Sequence, residues 1–111
     1  MANYGRLVAE EIAATLDRAG FETLSADSFR IDVTDSFQRK LGDCRPVQGP
    51  HGESDTAHYE IRIARRLFED DHERDWRDTV RHEVAHAYVF SVFGRDVQPH
   101  GEEWKDAARR A

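Results

Sequence analysis

Cysteine is almost absent: Cys44 stands alone, so the chain can close no internal disulfide and build no cysteine-based structural zinc site. Lysine is nearly as scarce, with Lys40 and Lys105 among 16 basic residues, while acidic residues number 22 and the net charge is -6. That balance repels phosphate backbones overall. An acidic surface poor in lysine suggests adaptation to high salt, an expectation that equal stability in low and multimolar salt would remove. No run of 18 apolar residues occurs, so no membrane span is expected. Residues 1–20 are amphipathic and charged, unlike an export signal, and the expected location is therefore the cytoplasm, the nucleoid included. Repeats and low-complexity tracts are missing. At 111 residues the chain is long enough for one domain with a modest core.

The chemistry is concentrated in His82-Glu83-Val84-Ala85-His86 and in the His100-Gly101 pair that follows. On a helix, His82 and His86 stand one turn apart on the same face, where two imidazoles can bind one zinc ion. Glu83, beside the first of them, is placed to act as a general base. An H-E-x-x-H string also arises by chance on solvated helix faces, but here the surroundings argue otherwise. Trp76, Thr79, Val80, Val84, Ala87, Tyr88, Ser91 and Val92 form an apolar stripe at helical spacing, with no Pro or Gly inside it. Asp75 reads as an N-cap, and Gly94 stands where a C-cap would be. The motif thus lies on a strongly predicted, mostly buried helix over residues 75–93.

A metzincin would need Gly at position 89 and His at 92; Val89 and Val92 exclude that class. His100 is the better third ligand, on a loop ahead of a short helix over residues 102–110, with Gly101 freeing the backbone to turn. Glu102 or Glu103 is the fallback. Three protein ligands would leave a fourth position open, as a catalytic zinc requires.

A coarse reading gives an α+β fold, a small sheet packed on an N-terminal helix and on the motif-bearing helix. Residues 3–19 form an amphipathic helix with Tyr4, Val8, Ile12, Leu16 and Ala19 on one face, closed by Gly20. Residues 29–33 alternate as a strand, a second strand is expected over 37–44, and 58–64 alternate again. Between the last two lies the turn-rich stretch 45–56. An exposed sheet edge beside the metal could take an extended substrate by main-chain hydrogen bonds. Tyr88, lying in the apolar stripe, is assigned to core packing rather than to an oxyanion contact. Cys44 is assigned to the core as well, Trp104 to packing the last helix on the motif helix, and Trp76 to anchoring the motif helix at its start. His51 and His72 read as surface residues. His58, on the polar face of its strand, is a candidate substrate or nucleic-acid contact.

The run Thr79-Val80-Arg81-His82-Glu83-Val84-Ala85-His86-Ala87, followed by Pro99-His100-Gly101-Glu102-Glu103-Trp104, resembles the SprT-like metalloproteases, the family of bacterial SprT and eukaryotic Spartan. Lys40-Leu41-Gly42-Asp43-Cys44 and Tyr59-Glu60-Ile61-Arg62-Ile63-Ala64-Arg65-Arg66-Leu67 resemble two further family segments, and the likeness covers residues 29–108. It implies a zincin-like protease core, zinc held by His82, His86 and His100, and Glu83 as catalytic acid and base. It also implies that the strand over 58–64 forms the sheet edge beside the metal, and that the substrates are proteins trapped on DNA. Family members usually continue into a zinc ribbon; with Cys44 alone this chain has none, so residues 1–111 are expected to form a single metalloprotease domain. Arg62, Arg65, Arg66, Arg109 and Arg110 are the candidate contacts to single-stranded DNA, the other expected partner being a protein or peptide substrate.

Overall fold

A computed structural model describes residues 3–47, 59–69, 75–94 and 100–111. The elements run α1 (Tyr4–Ala19), β1 (Phe29–Thr34), β2 (Gly42–Pro46), β3 (Tyr59–Ala64), α2 (Trp76–Phe93) and α3 (Glu102–Arg110), with short 3-10 turns at Ala26–Ser28 and Arg65–Phe68. This is a mixed α+β arrangement with a small three-stranded sheet. His51, His58, His72, most of the 45–56 stretch and residues 95–99 lie outside the described residues.

α1 starts where the Asn3 side chain accepts the Arg6 amide and stops at Gly20, whose left-handed backbone (φ 70°) returns an N–H to the Leu16 carbonyl at 3.0 Å. Its apolar stripe is buried at Val8, Ile12, Leu16 and Ala19, joined by Thr15. α2 opens on Asp75, whose carboxylate accepts the Arg77 amide at 2.9 Å, and ends as the Gly94 amide reaches the Phe90 carbonyl at 3.0 Å. It packs against α1, α3, β2 and β3, which explains burial on more than one face: Val80, Val84, Ala85 and Ala87 are all wholly enclosed.

The strand order is β1-β3-β2, with β1 parallel and β2 antiparallel to β3. The strand expected at the edge is therefore the central one. β3 can hold that place because Ile61 and Ile63 enter the core, while Glu60 and Arg62 on the opposite face meet partners across the strand. Arg45 sits opposite Glu60 and pairs with it at 2.6 Å; Asp43 sits opposite Arg62 and pairs with it too. The edge nearest α2 is β2. Its ladder begins at Gly42 rather than at residue 37, because the carbonyls of Phe37 and Lys40 are taken by the Arg66 guanidinium (2.7 and 2.9 Å) and not by a neighbouring strand. Phe37 is buried there beneath Lys40 and Arg62, each cation 5.0 Å from its ring centre.

Candidate metal centre

His82, Glu83 and His86 occupy the middle of α2, where the helix is firmly seated by Val84, Ala85 and Ala87 behind them. His100 comes from the other side, just ahead of α3. Its backbone lies in the left-handed region at φ 59°, which no other described non-glycine residue adopts and which costs a residue of this kind roughly 1 kcal/mol or more. That conformation brings its ring onto His86: the two Nε2 atoms are 3.1 Å apart.

Trp104, one turn into α3, holds the three rings together. Its indole lies 4.6 Å from the His100 ring, 5.2 Å from His86 and 5.5 Å from His82, centre to centre. Its Nε1–H also donates to the His82 carbonyl at 3.4 Å. Phe90 stacks on the far side of His86 at 6.4 Å. Burial, with the nearby His100 and His82, pushes the His86 pKa down to about 4, so at neutral pH its ring is the uncharged form that binds metals. Glu83 is shifted the other way, up to about 7, chiefly by burial and further by Asp43, against the pull of Lys40.

The three histidines, Glu83 and Phe90 line a cleft of about 850 Å³ whose other wall is the rim Arg39-Lys40-Leu41 and the start of β2, Gly42 to Cys44. Gly42 is required by a close approach: a Cβ there would lie 2.9 Å from Thr79 Cγ2 and 3.0 Å from the Arg62 carbonyl oxygen. Cys44 lines the same cleft and packs against the core, its thiol pKa raised by burial and by the Glu83 and Asp43 carboxylates, so it stays protonated.

The structure thus brings His86 and His100 into direct contact, with His82 on the same indole and Glu83 in the same cleft. Among the described residues no group of three or more His, Cys, Asp or Glu side chains is already closed around a metal position. The donor chemistry nevertheless fits zinc. Two imidazole nitrogens bound to one tetrahedral zinc at ~2.0–2.1 Å stand about 3.3 Å apart, close to the separation of the His86 and His100 nitrogens.

Tyr88 points away from the cleft and stacks on Phe21 at 4.0 Å, and Trp76 lies against Phe68 at 5.1 Å. Each of the five candidate DNA-contacting arginines has a partner within the chain. Arg62 is paired with Asp43 and Arg65 with Asp35, Arg66 binds the two rim carbonyls, and Arg109 pairs with Asp106. Arg110 donates to the Ala19 carbonyl at 2.9 Å, over the rings of Phe21 and Tyr88. Sequence reasoning missed Arg39 and Phe90 as cleft residues, which no periodicity or motif marks, and it read Thr79 only as part of the apolar stripe and the family run; all three meet the histidines through the fold. No helix among the described residues is long and apolar enough to cross a membrane.

Protein SprT of Pseudomonas savastanoi pv. phaseolicola (strain 1448A / Race 6) is 44% identical over 45 residues, a match that covers 40% of this chain and 27% of that protein. Protein SprT of Pseudomonas fluorescens (strain SBW25) is 40% identical over 45 residues, with the same coverage. No solved structure gives a significant match. The model of the SprT-like family matches residues 9–111, nearly the whole sequence, and the chain belongs to the SprT-like family.

Proposed function

We propose that the chain is a zinc-dependent endopeptidase with a zincin-like core, residues 1–111 acting as one metalloprotease domain. The observation that carries this reading is the meeting of His86 and His100 at 3.1 Å in the cleft that also holds Glu83. His82, His86 and His100 would hold the ion, with Trp104 keeping their rings in place. A zinc ion so held supplies Lewis-acid polarisation of the scissile carbonyl and of water.

The remaining steps belong to the chain. Glu83 accepts a proton from the attacking water and passes it to the departing amine nitrogen, a task suited to a carboxylate whose pKa burial has moved towards neutrality. The cleft wall opposite, β2, offers backbone groups to an extended peptide, since among the described residues it pairs only with β3.

Proteins bound or crosslinked to DNA are the proposed substrates, following the family resemblance. A DNA-independent peptidase is the second reading, and the intramolecular engagement of Arg62, Arg65, Arg109 and Arg110 favours it. The deciding experiment is cleavage of an unstructured DNA-binding protein by the zinc-loaded chain, with and without single-stranded DNA. Cleavage only with DNA supports the first reading, and cleavage indifferent to DNA the second. Zinc binding without cleavage would instead mean a non-catalytic zinc-stabilised module.

A further inference from the structure

The wall of the cleft that faces the histidines carries a charge imbalance. Of the two acidic residues lining the cleft, Glu83 is half-buried among the histidines and Asp43 is already shared, pairing with Lys40 at 2.9 Å and with Arg62. Two cations are left over. Arg66 donates one bond from each of Nη1 and Nη2 to the Phe37 and Lys40 carbonyls, keeps its other N–H donors, and among the described residues meets no carboxylate. Arg39 is exposed and, among the described residues, has no ionic partner. Both line the cleft in a chain whose net charge is -6, so the positive field is local and runs against that of the molecule.

The rim that presents them is held in shape. Arg66 clamps its carbonyls, Phe37 is buried beneath it, and the Leu41 carbonyl accepts the Ala64 amide at 2.8 Å. The adjoining β2 edge can align a peptide backbone along the same wall.

We propose that Arg39 and Arg66 make the cleft selective for acidic peptide segments, by pairing with carboxylate side chains of an extended substrate laid along β2. The proposal rests on the peptidase reading for the fate of the peptide, but its binding step does not need catalysis. A guanidinium fork matches a carboxylate in two parallel hydrogen bonds. A solvent-exposed pair of this kind contributes about fivefold in affinity at most, and salt weakens it. Nucleic-acid phosphate carries the same sign of charge, but the negative field of the whole chain opposes a long polyanion more than a short acidic segment.

The test uses the zinc-loaded Glu83→Gln protein and short end-capped peptides identical except for two Glu or two Gln. Fluorescence anisotropy should show the Glu peptide binding about 10-fold tighter or better at low ionic strength, with most of the difference gone at about 0.5 M salt. Among the described residues Arg39 holds no other group in place, so Arg39→Gln should fold normally and cut the preference about fivefold, and Arg39→Glu should cut it further. Equal affinity for the two peptides overturns the proposal. So does an oligodeoxynucleotide whose binding is lost in Arg39→Glu while peptide binding is unchanged, which would assign the rim to nucleic acid. Proteolysis of an unfolded protein by the wild type is followed separately: a Glu preference without proteolysis keeps the acid-selective cleft and overturns the catalytic reading alone.

Discussion

His86 and His100 meet ring nitrogen to ring nitrogen at 3.1 Å, one from the centre of a buried helix and the other from a left-handed residue at the foot of α3. Like-for-like contact between two imidazoles, one of them held neutral, gains little by itself. It is the arrangement expected of ligands that wait for a shared cation. His100→Asn tests this cleanly, because Asn tolerates the left-handed backbone. The variant should keep its thermal midpoint when metal-free and lose about 100-fold or more in zinc affinity, read by competition with a chelator.

Trp104 touches all three histidine rings, so it acts on the metal only through them. Trp104→Ala should weaken zinc binding by about 10- to 100-fold, while Trp104→Phe, which keeps an aromatic face, should recover most of the loss. A purely structural role would lower stability in both and leave their zinc affinities equal.

Gly42 has no room for a side chain. In Gly42→Ala the new methyl would press on Thr79 Cγ2 and the Arg62 carbonyl, and urea unfolding should register a loss of about 1–3 kcal/mol. Adding Thr79→Ser removes the first clash but not the second, so the double variant should regain only part of that loss.

Asp43, on the cleft wall opposite the histidines, gives a pH signature of its own. Burial works against its ionisation, but hydrogen bonds and charge from Arg62 and Lys40 prevail and hold its pKa below the usual 3.8. A carboxylate lowered on folding adds stability that is present above its unfolded pKa and lost as pH falls through its folded pKa. Asp43→Asn should therefore be less stable than the wild type at neutral pH, and the gap should close as the pH drops below about 3.8 in acid titrations followed by circular dichroism.

Much of this was legible because the signals are local. α1 and α2 follow from their apolar spacing and from Asp75, Gly20 and Gly94 at the ends, and His100 is marked by the Gly101 and Trp104 that follow it. What local pattern cannot supply is pairing across the fold. The alternation of β3 identifies a strand, yet its central place depends on β1 and β2 arriving on either side with Asp43 and Arg45 set against Arg62 and Glu60. The late start of β2 has the same origin, since a side chain from beyond β3, Arg66, takes the carbonyls that a ladder would have used.

In the proposed reaction Glu83 moves the proton of a zinc-dependent hydrolysis while the histidines alone hold the ion. Zinc content and cleavage of an unfolded protein, measured side by side for the wild type and Glu83→Gln, test it most directly. The expected result is one zinc per chain in both proteins, with cleavage in the wild type reduced by about 100-fold or more in the variant. Cleavage retained by Glu83→Gln, or a wild type that binds no zinc, would contradict it.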